Sequence, residues 1–276
     1  MTRSGNLFKK ATYILAIFVF LLLLPGCYQP KKDFYRFNGE SALEVHAPSG
    51  QIKLFFEAFP QKGILFSINY KGRNILEPSR LGLTNIQNKP FLAQPEIEKV
   101  IGRLFREQQA GEAADAHSYN EMAIYLRSKE VPDRRMKILV RLYRNNIMAF
   151  RYEVLSGLSE NIDINGELTE FILPKGRKNN FFSGMKGENP VQPDTHIDFP
   201  VWFSSRNAWV RIADTEETPT ASLRKTGDFT LDIISETGTV INFFPFPFPW
   251  REITIADSKQ AIINTENPPS LKYRAR

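Results

Sequence analysis

The chain is 276 residues long, with one cysteine and a formal net charge of +6. One cysteine excludes an internal disulfide framework, so stability has to come from a packed core, built as one large domain or two small ones. No Lys/Arg block of the nucleic-acid type interrupts the sequence, which argues against a nucleic-acid partner.

Residues 1–26 read as a leader. Arg3, Lys9 and Lys10 precede an apolar run from Ala11 to Leu24, and no acid occurs among them, so the charge without this stretch falls to +3. The run is shorter than the roughly 20 residues that span a bilayer, and it suits the apolar region of a signal peptide. It ends in Leu24-Pro25-Gly26-Cys27, which resembles a bacterial lipobox. The resemblance implies cleavage after Gly26 and lipidation of Cys27. Acyl chains contribute about 0.8 kcal/mol per buried CH₂ and would anchor the protein without a transmembrane helix. The expected location is the cell envelope, on a bacterial membrane, facing the periplasm or the outside. Residues 27–38 are polar and aperiodic and read as a tether, followed by one domain over 39–276.

That domain reads as short strands separated by turn residues. Ala42–Ala47 and Gln51–Phe59 flank Pro48-Ser49-Gly50, and Gly63–Tyr70 and Arg73–Leu76 flank Lys71-Gly72, a hairpin signal. Glu96–Gln109 is the best helix candidate, although Val100-Ile101 and the interior Gly102 weaken it. Tyr119–Arg127 precedes the clearest hairpin, Met136–Val154. There Ile138, Val140 and Leu142 alternate on one arm and Met148, Phe150, Tyr152 and Val154 on the other. Asn145-Asn146 joins the arms, and Asn tolerates the positive φ of a tight turn. Further strands are expected at Glu167–Leu173, Ala208–Ala213, Phe229–Ile234, Thr239–Phe243, Arg251–Ala256 and Gln260–Asn264. The alternating prolines of Phe243–Trp250 remove backbone donors, so that stretch is expected to be extended and to cap the core. The pattern predicts an all-β fold of sandwich type.

Several segments, in order, resemble the N-terminal domain of family 97 glycoside hydrolases. They are Glu44–Leu54, Asn74–Leu83, Tyr119-Asn120-Glu121-Met122 with Ile138–Tyr152, Glu167-Leu168-Thr169-Glu170-Phe171, and Pro249-Trp250-Arg251-Glu252-Ile253. Asn145-Asn146 departs from an Asp-Gly-like turn, and Phe248 stands where Thr is usual. The resemblance implies a large β-super-sandwich of galactose-mutarotase type, which the family follows with a catalytic (β/α)₈ barrel. A barrel needs about 250 residues, so the expected content is the non-catalytic domain, with a barrel partner in trans or a homo-oligomer. A truncated remnant of an α-glucosidase or α-galactosidase is the alternative. An apolar surface patch is expected where a barrel would dock.

Candidate chemistry is sparse. Glycoside hydrolysis needs two carboxyl groups at a set separation, and in the resembled family the barrel supplies them. The family's N-terminal domain gives one Glu to a calcium ion. Glu167 matches by motif, with Glu170 second, and no cofactor is expected for this chain alone. A mutarotase-like activity would pair a His with an acid across a sugar pocket. Of His46, His117 and His196, His117 has Glu121 or Glu153 as partners in prospect. Trp202, Trp209, Trp250, Tyr119 and Tyr152 are candidate sugar platforms. Trp209 reads as core and Trp250 as structural, which leaves Trp202, beside Pro200 and Phe203, as the carbohydrate-binding candidate. The expected partner is an α-glucoside or α-galactoside.

Overall fold

The computed structural model describes residues 34–37, 41–105, 118–156, 162–176, 180–184, 186–215, 221–227, 229–235 and 238–265. Cys27, the leader and His117 lie outside them. The chain opens with β1 (Tyr35–Phe37), β2 (Ala42–His46), β3 (Ile52–Phe59), β4 (Gly63–Tyr70), β5 (Arg73–Leu81) and β6 (Leu83–Asn85). Four long strands follow: β7 (Pro95–Phe105), β8 (Tyr119–Ser128), β9 (Arg135–Tyr143) and β10 (Ile147–Ser156). Short pieces come next: β11 (Ile162–Glu167), β12 (Glu170–Ile172), β13 (Asn180–Ser183), β14 (Asn189–Pro190) and β15 (His196–Ile197). Two hairpins, β16 (Val201–Ser205) with β17 (Ala208–Asp214) and β18 (Ala221–Gly227) with β19 (Thr230–Ser235), precede β20 (Thr239–Ile241), β21 (Phe246–Pro247) and β22 (Arg251–Ala256). Helix α1 (Lys259–Ile263) comes after β22.

These strands form two large sheets and one small one. The first runs β1-β2-β3-β4-β5-β12-β19-β18-β15, and the second β14-β13-β16-β17-β22-β10-β9-β8-β7 with β21 added beside β10. The small sheet is β20-β11-β6. Alternation builds the sandwich: β3 and β4 bury every second residue, as period-2 side chains require. From the first sheet Leu54, Phe56, Phe66 and Phe171 enter the core, and from the second Ile138, Val140, Phe150 and Ile253. The Phe66 and Phe150 rings meet across the sheets at 5.9 Å. Burying each such ring contributes about 1.5–3 kcal/mol. The fold is all-β and of sandwich type, as the alternation predicts, and its size is that of the super-sandwich the resemblance implies.

Turn chemistry holds where it was legible. Lys71 and Gly72 both have positive φ (50° and 82°) and Asn146 has φ 63°, as tight hairpins between right-twisted strands need. The stretch expected to be extended from Phe243 instead bends at residues 243–245, with a cis Phe244–Pro245 bond, and is extended only from Phe246, where Phe248 N–H donates to Tyr152 O at 2.8 Å.

Three further expectations are corrected. Residues 96–105 of the expected helix belong to β7, which pairs along β8 from Pro95↔Ser128 to Phe105↔Tyr119. Its period is hidden because β7 is an edge strand with Glu96, Glu98, Lys99 and Arg103 along it and a register shift at Ile97/Lys99, features that discourage edge pairing. Gly102 has a packing reason: a Cβ there would lie 2.6 Å from Cε1 of Tyr35 and 2.8 Å from Cζ of Phe34. The expected strand at Gln260–Asn264 is instead part of α1. Ser258 caps it, its hydroxyl accepting from Ala261 N–H at 3.2 Å, a standard way to satisfy the first helical donors. Finally, Tyr35–Phe37 lie within the expected tether yet pair with β2. Among the described residues no helix is long and apolar enough to cross a membrane.

Candidate functional site

Glu167 ends β11 and its side chain is 4% exposed, so its charge requires a partner in the interior. Arg251, which opens β22, supplies it: Nη2 donates to Glu167 Oε1, and Nη1 donates to Asp214 Oδ2 at 2.6 Å. Both carboxylates and the guanidinium are buried. The other Glu167 oxygen accepts from Thr169 Oγ1 at 3.0 Å. Because that hydroxyl has spent its proton, Tyr152 O–H donates to Thr169 Oγ1 at 2.7 Å and in turn accepts from Gly82 N–H at 3.0 Å. Burial, with the Glu167 charge next in size, pushes the Tyr152 phenol far up, so it remains a donor. The result is a relay from Gly82 through Tyr152 and Thr169 to Glu167, clamped by Arg251.

This arrangement does not fit a calcium ligand. Calcium takes about six to eight oxygens, whereas both Glu167 oxygens are committed and a guanidinium occupies the carboxylate's front. Glu170 is engaged in the same way: Oε1 accepts from Arg80 Nε at 2.7 Å and from its Nη2, and Oε2 accepts from Arg80 N–H at 3.2 Å. Among the described residues no group of three or more His, Cys, Asp or Glu is placed to hold a metal.

The outer face of the larger sheet follows the same rule of paired charge. Glu121 holds Arg141 at 2.9 Å, Glu153 holds Arg151 at 2.6 Å and also Lys137, and the fully buried Glu252 holds Arg211 at 2.7 Å. Trp250 is buried between the Arg141 and Arg151 guanidinium groups, 4.6 and 4.8 Å from its ring, a doubled cation–π contact. It is structural, as expected. His46 meets Glu44 at 2.8 Å, two residues away on β2, and His196 is exposed on β15. Glu121 and Glu153, the acids in prospect as partners of His117, are held by arginine and lysine.

The aromatic platforms are corrected as well. Trp202 is 1% exposed, its indole N–H donates to Gly184 O at 3.0 Å, and a Cβ on Gly187 would touch its ring at 2.7 Å. The Gly187 backbone covers the face a sugar would need. Trp209, read as core, is instead half-buried beside Phe182 at 5.6 Å with Lys259 above it. Tyr119 stacks on Phe105 at 4.6 Å, and Tyr152 is buried in the relay. Ile86, Val240 and Phe243, on or next to the small sheet, are exposed, as are Phe37, Leu104, Phe244 and Ile263.

A cleft of about 340 Å³ opens where the β3–β4 turn, the β5–β6 junction and residues 88–95 converge. Lys62 and Arg80 line it together with Gln61, Asn88 and Gln94, over an apolar floor that includes Ile64, Leu81 and Leu92. Among the described residues no carboxylate lines it. Sequence reasoning did not single out this cleft, because Gln61, Lys62, Asn88 and Gln94 come from connections without period, and nothing in the motif around Arg80 marks it as lining a cleft. Asn88 and Gln94 take positive φ (56° and 47°), a placement no alternation pattern reveals.

A family model described as Glycosyl-hydrolase 97 N-terminal matches residues 45–271. The chain belongs to that family. Among solved structures, a family 97 glycoside hydrolase from Pseudoalteromonas sp. strain K8 in complex with panose superposes with a TM-score of 0.64 at 19% identity, over 81% of this chain and 37% of that one. A β-arabinopyranosidase gives a TM-score of 0.60 at 18% identity, over 78% and 40%. A family 36 α-galactosidase from Geobacillus stearothermophilus gives 0.50 at 7%, again over 78% and 40%. At such identities the likeness is one of fold. This glycosyl-hydrolase 97 N-terminal chain spans 37–40% of those enzymes' lengths. Among curated proteins no match is found.

Proposed function

We propose that this glycosyl-hydrolase 97 N-terminal chain is a carbohydrate-binding support module, held at a bacterial membrane through lipidated Cys27, that contacts α-linked glucosides or galactosides without cleaving them. The observation that carries the reading is the commitment of acids buried in the sandwich. Glu167, Asp214, Glu170, Glu121, Glu153 and Glu252 are each paired with arginine or lysine. A hydrolytic pair needs one carboxyl free to give a proton and another free to attack or to activate water. Acids clamped in this way are suited to holding the sandwich. The neighbouring enzyme that binds panose, and another form of it bound to acarbose, support an oligosaccharide as the partner class. The cleft beside Arg80 is the surface offered for that contact.

Calorimetric titration with panose, maltooligosaccharides and α-galactosides tests the reading, run beside release of nitrophenol from aryl α-glycosides. Saturable binding without release is expected. Release of nitrophenol, or an absence of binding across the panel, refutes it. The anchor has its own test: cells fed labelled palmitate should label the wild-type protein and not Cys27→Ser, and equal labelling would remove the anchor from the account.

A further inference from the structure

We propose that the cleft at the β3–β4 turn is selective for a uronic acid, a sugar ring that carries a carboxylate. This rests on the carbohydrate reading above and adds the charge of the ligand. Among the described residues the charged groups lining the cleft are Lys62 and Arg80, and no acid lines it. Arg80 is pre-set for a second partner: buried Glu170 takes its Nε and Nη2, which fixes the planar fork and leaves Nη1 uncommitted among the described residues. Lys62 has no ion pair among the described residues, so the cleft keeps a positive charge that Glu170 does not cancel. A carboxylate is the anion whose two oxygens match such a pair of donors.

The remaining lining is that of a sugar site. Asn88 Oδ1 accepts from Asn165, which leaves its NH₂ to donate, and Gln94 Nε2 donates to Glu130, which leaves its carbonyl to accept. A donor beside an acceptor matches hydroxyls, which do both. Exposed Pro90 and half-buried Leu168 offer an apolar surface to a ring's C–H face. The volume is at the low end of the range of roughly 300–1,000 Å³ for small-molecule sites, which suits one or two rings. An inorganic anion would use neither the amides nor the floor, and an aliphatic carboxylate would leave the amides unmatched.

The test titrates the full chain with galacturonate, glucuronate, galactose, glucose and succinate at low and high salt, with panose titrated in parallel. The expected result is uronate binding at least about tenfold tighter than the neutral hexoses and succinate, as a charge-assisted contact and matched hydroxyls together require, and weakened by salt. Lys62→Gln, an exposed turn position, should lower uronate affinity about tenfold and leave the melting temperature unchanged. Arg80→Lys, which keeps a cation for Glu170, should also weaken it. Hexoses binding as tightly as uronates, succinate matching them, or indifference to Lys62→Gln would overturn the assignment. Panose binding with no uronate preference would defeat this inference alone, whereas failure of every sugar would defeat the carbohydrate reading too.

Discussion

Arg251 stands between two buried carboxylates, and its removal would leave Glu167 and Asp214 charged without their counter-ion. Arg251→Met is therefore expected to destabilise the protein by about 3–5 kcal/mol, read as a lower urea midpoint at unchanged slope. An unshifted midpoint would mean that the clamp does not hold the fold. Asp232 makes the opposite case. Burial, against a hydrogen bond from Thr226 and with Glu170 nearby, raises its carboxyl, and its Oδ1 is buried without a partner. An acid whose folded value is raised favours the fold below its ordinary range and loses that contribution as pH rises through the folded value. Asp232→Asn should thus melt higher than wild type at neutral pH, with the gain shrinking as pH falls into the ordinary aspartate range. A gain that is constant with pH, or a loss, contradicts the assignment. Glu167 was picked out by motif, but its clamp was not legible, because Arg251 is 84 residues away in sequence. Trp202 misled for a related reason: the glycine that covers it comes from a separate loop.

Strand interiors were readable where one face is buried, as in β3, β4, β9 and β10, because alternation then reports directly on the core. Edges and ends were not. The charges and bulge of β7 erase its period, and α1 is too short to show one. Gly102 offers a direct test at this scale. Gly102→Val would drive a branched side chain into Tyr35 and Phe34, with an overpacking cost of about 1–3 kcal/mol. Faster amide exchange at residues 34–37 is expected, and unchanged exchange would deny the crossing. The Asn145-Asn146 turn also has a local account. Asn146 combines φ 63° with side-chain bonds to Gln51 at 3.0 Å and Ser49 at 3.2 Å, joining turns of the two sheets. Asn146→Ala should therefore cost about 1–2 kcal/mol through positive φ and lost bonds, and Asn146→Gly less, since glycine accepts the conformation. Equal losses in thermal unfolding would remove the backbone part of the argument.

At the scale of the molecule, the family and the super-sandwich were legible because ordered motifs and alternation extend along much of the chain. The cleft was not, since the β3–β4 turn and residues 88–95 that build much of it have no period, and Arg80, although inside the Asn74–Leu83 motif, is placed by Glu170, 90 residues away. The proposed role rests on how the charges are spent: Glu167, Asp214, Glu170 and Glu252 face arginines, and among the described residues the cleft is lined by cations and amides with no acid. The most direct measurement is a calorimetric titration of panose into the purified chain. The account predicts heat pulses that return to baseline and diminish to saturation. A sustained heat signal accompanied by released glucose, or no heat at all, would contradict it.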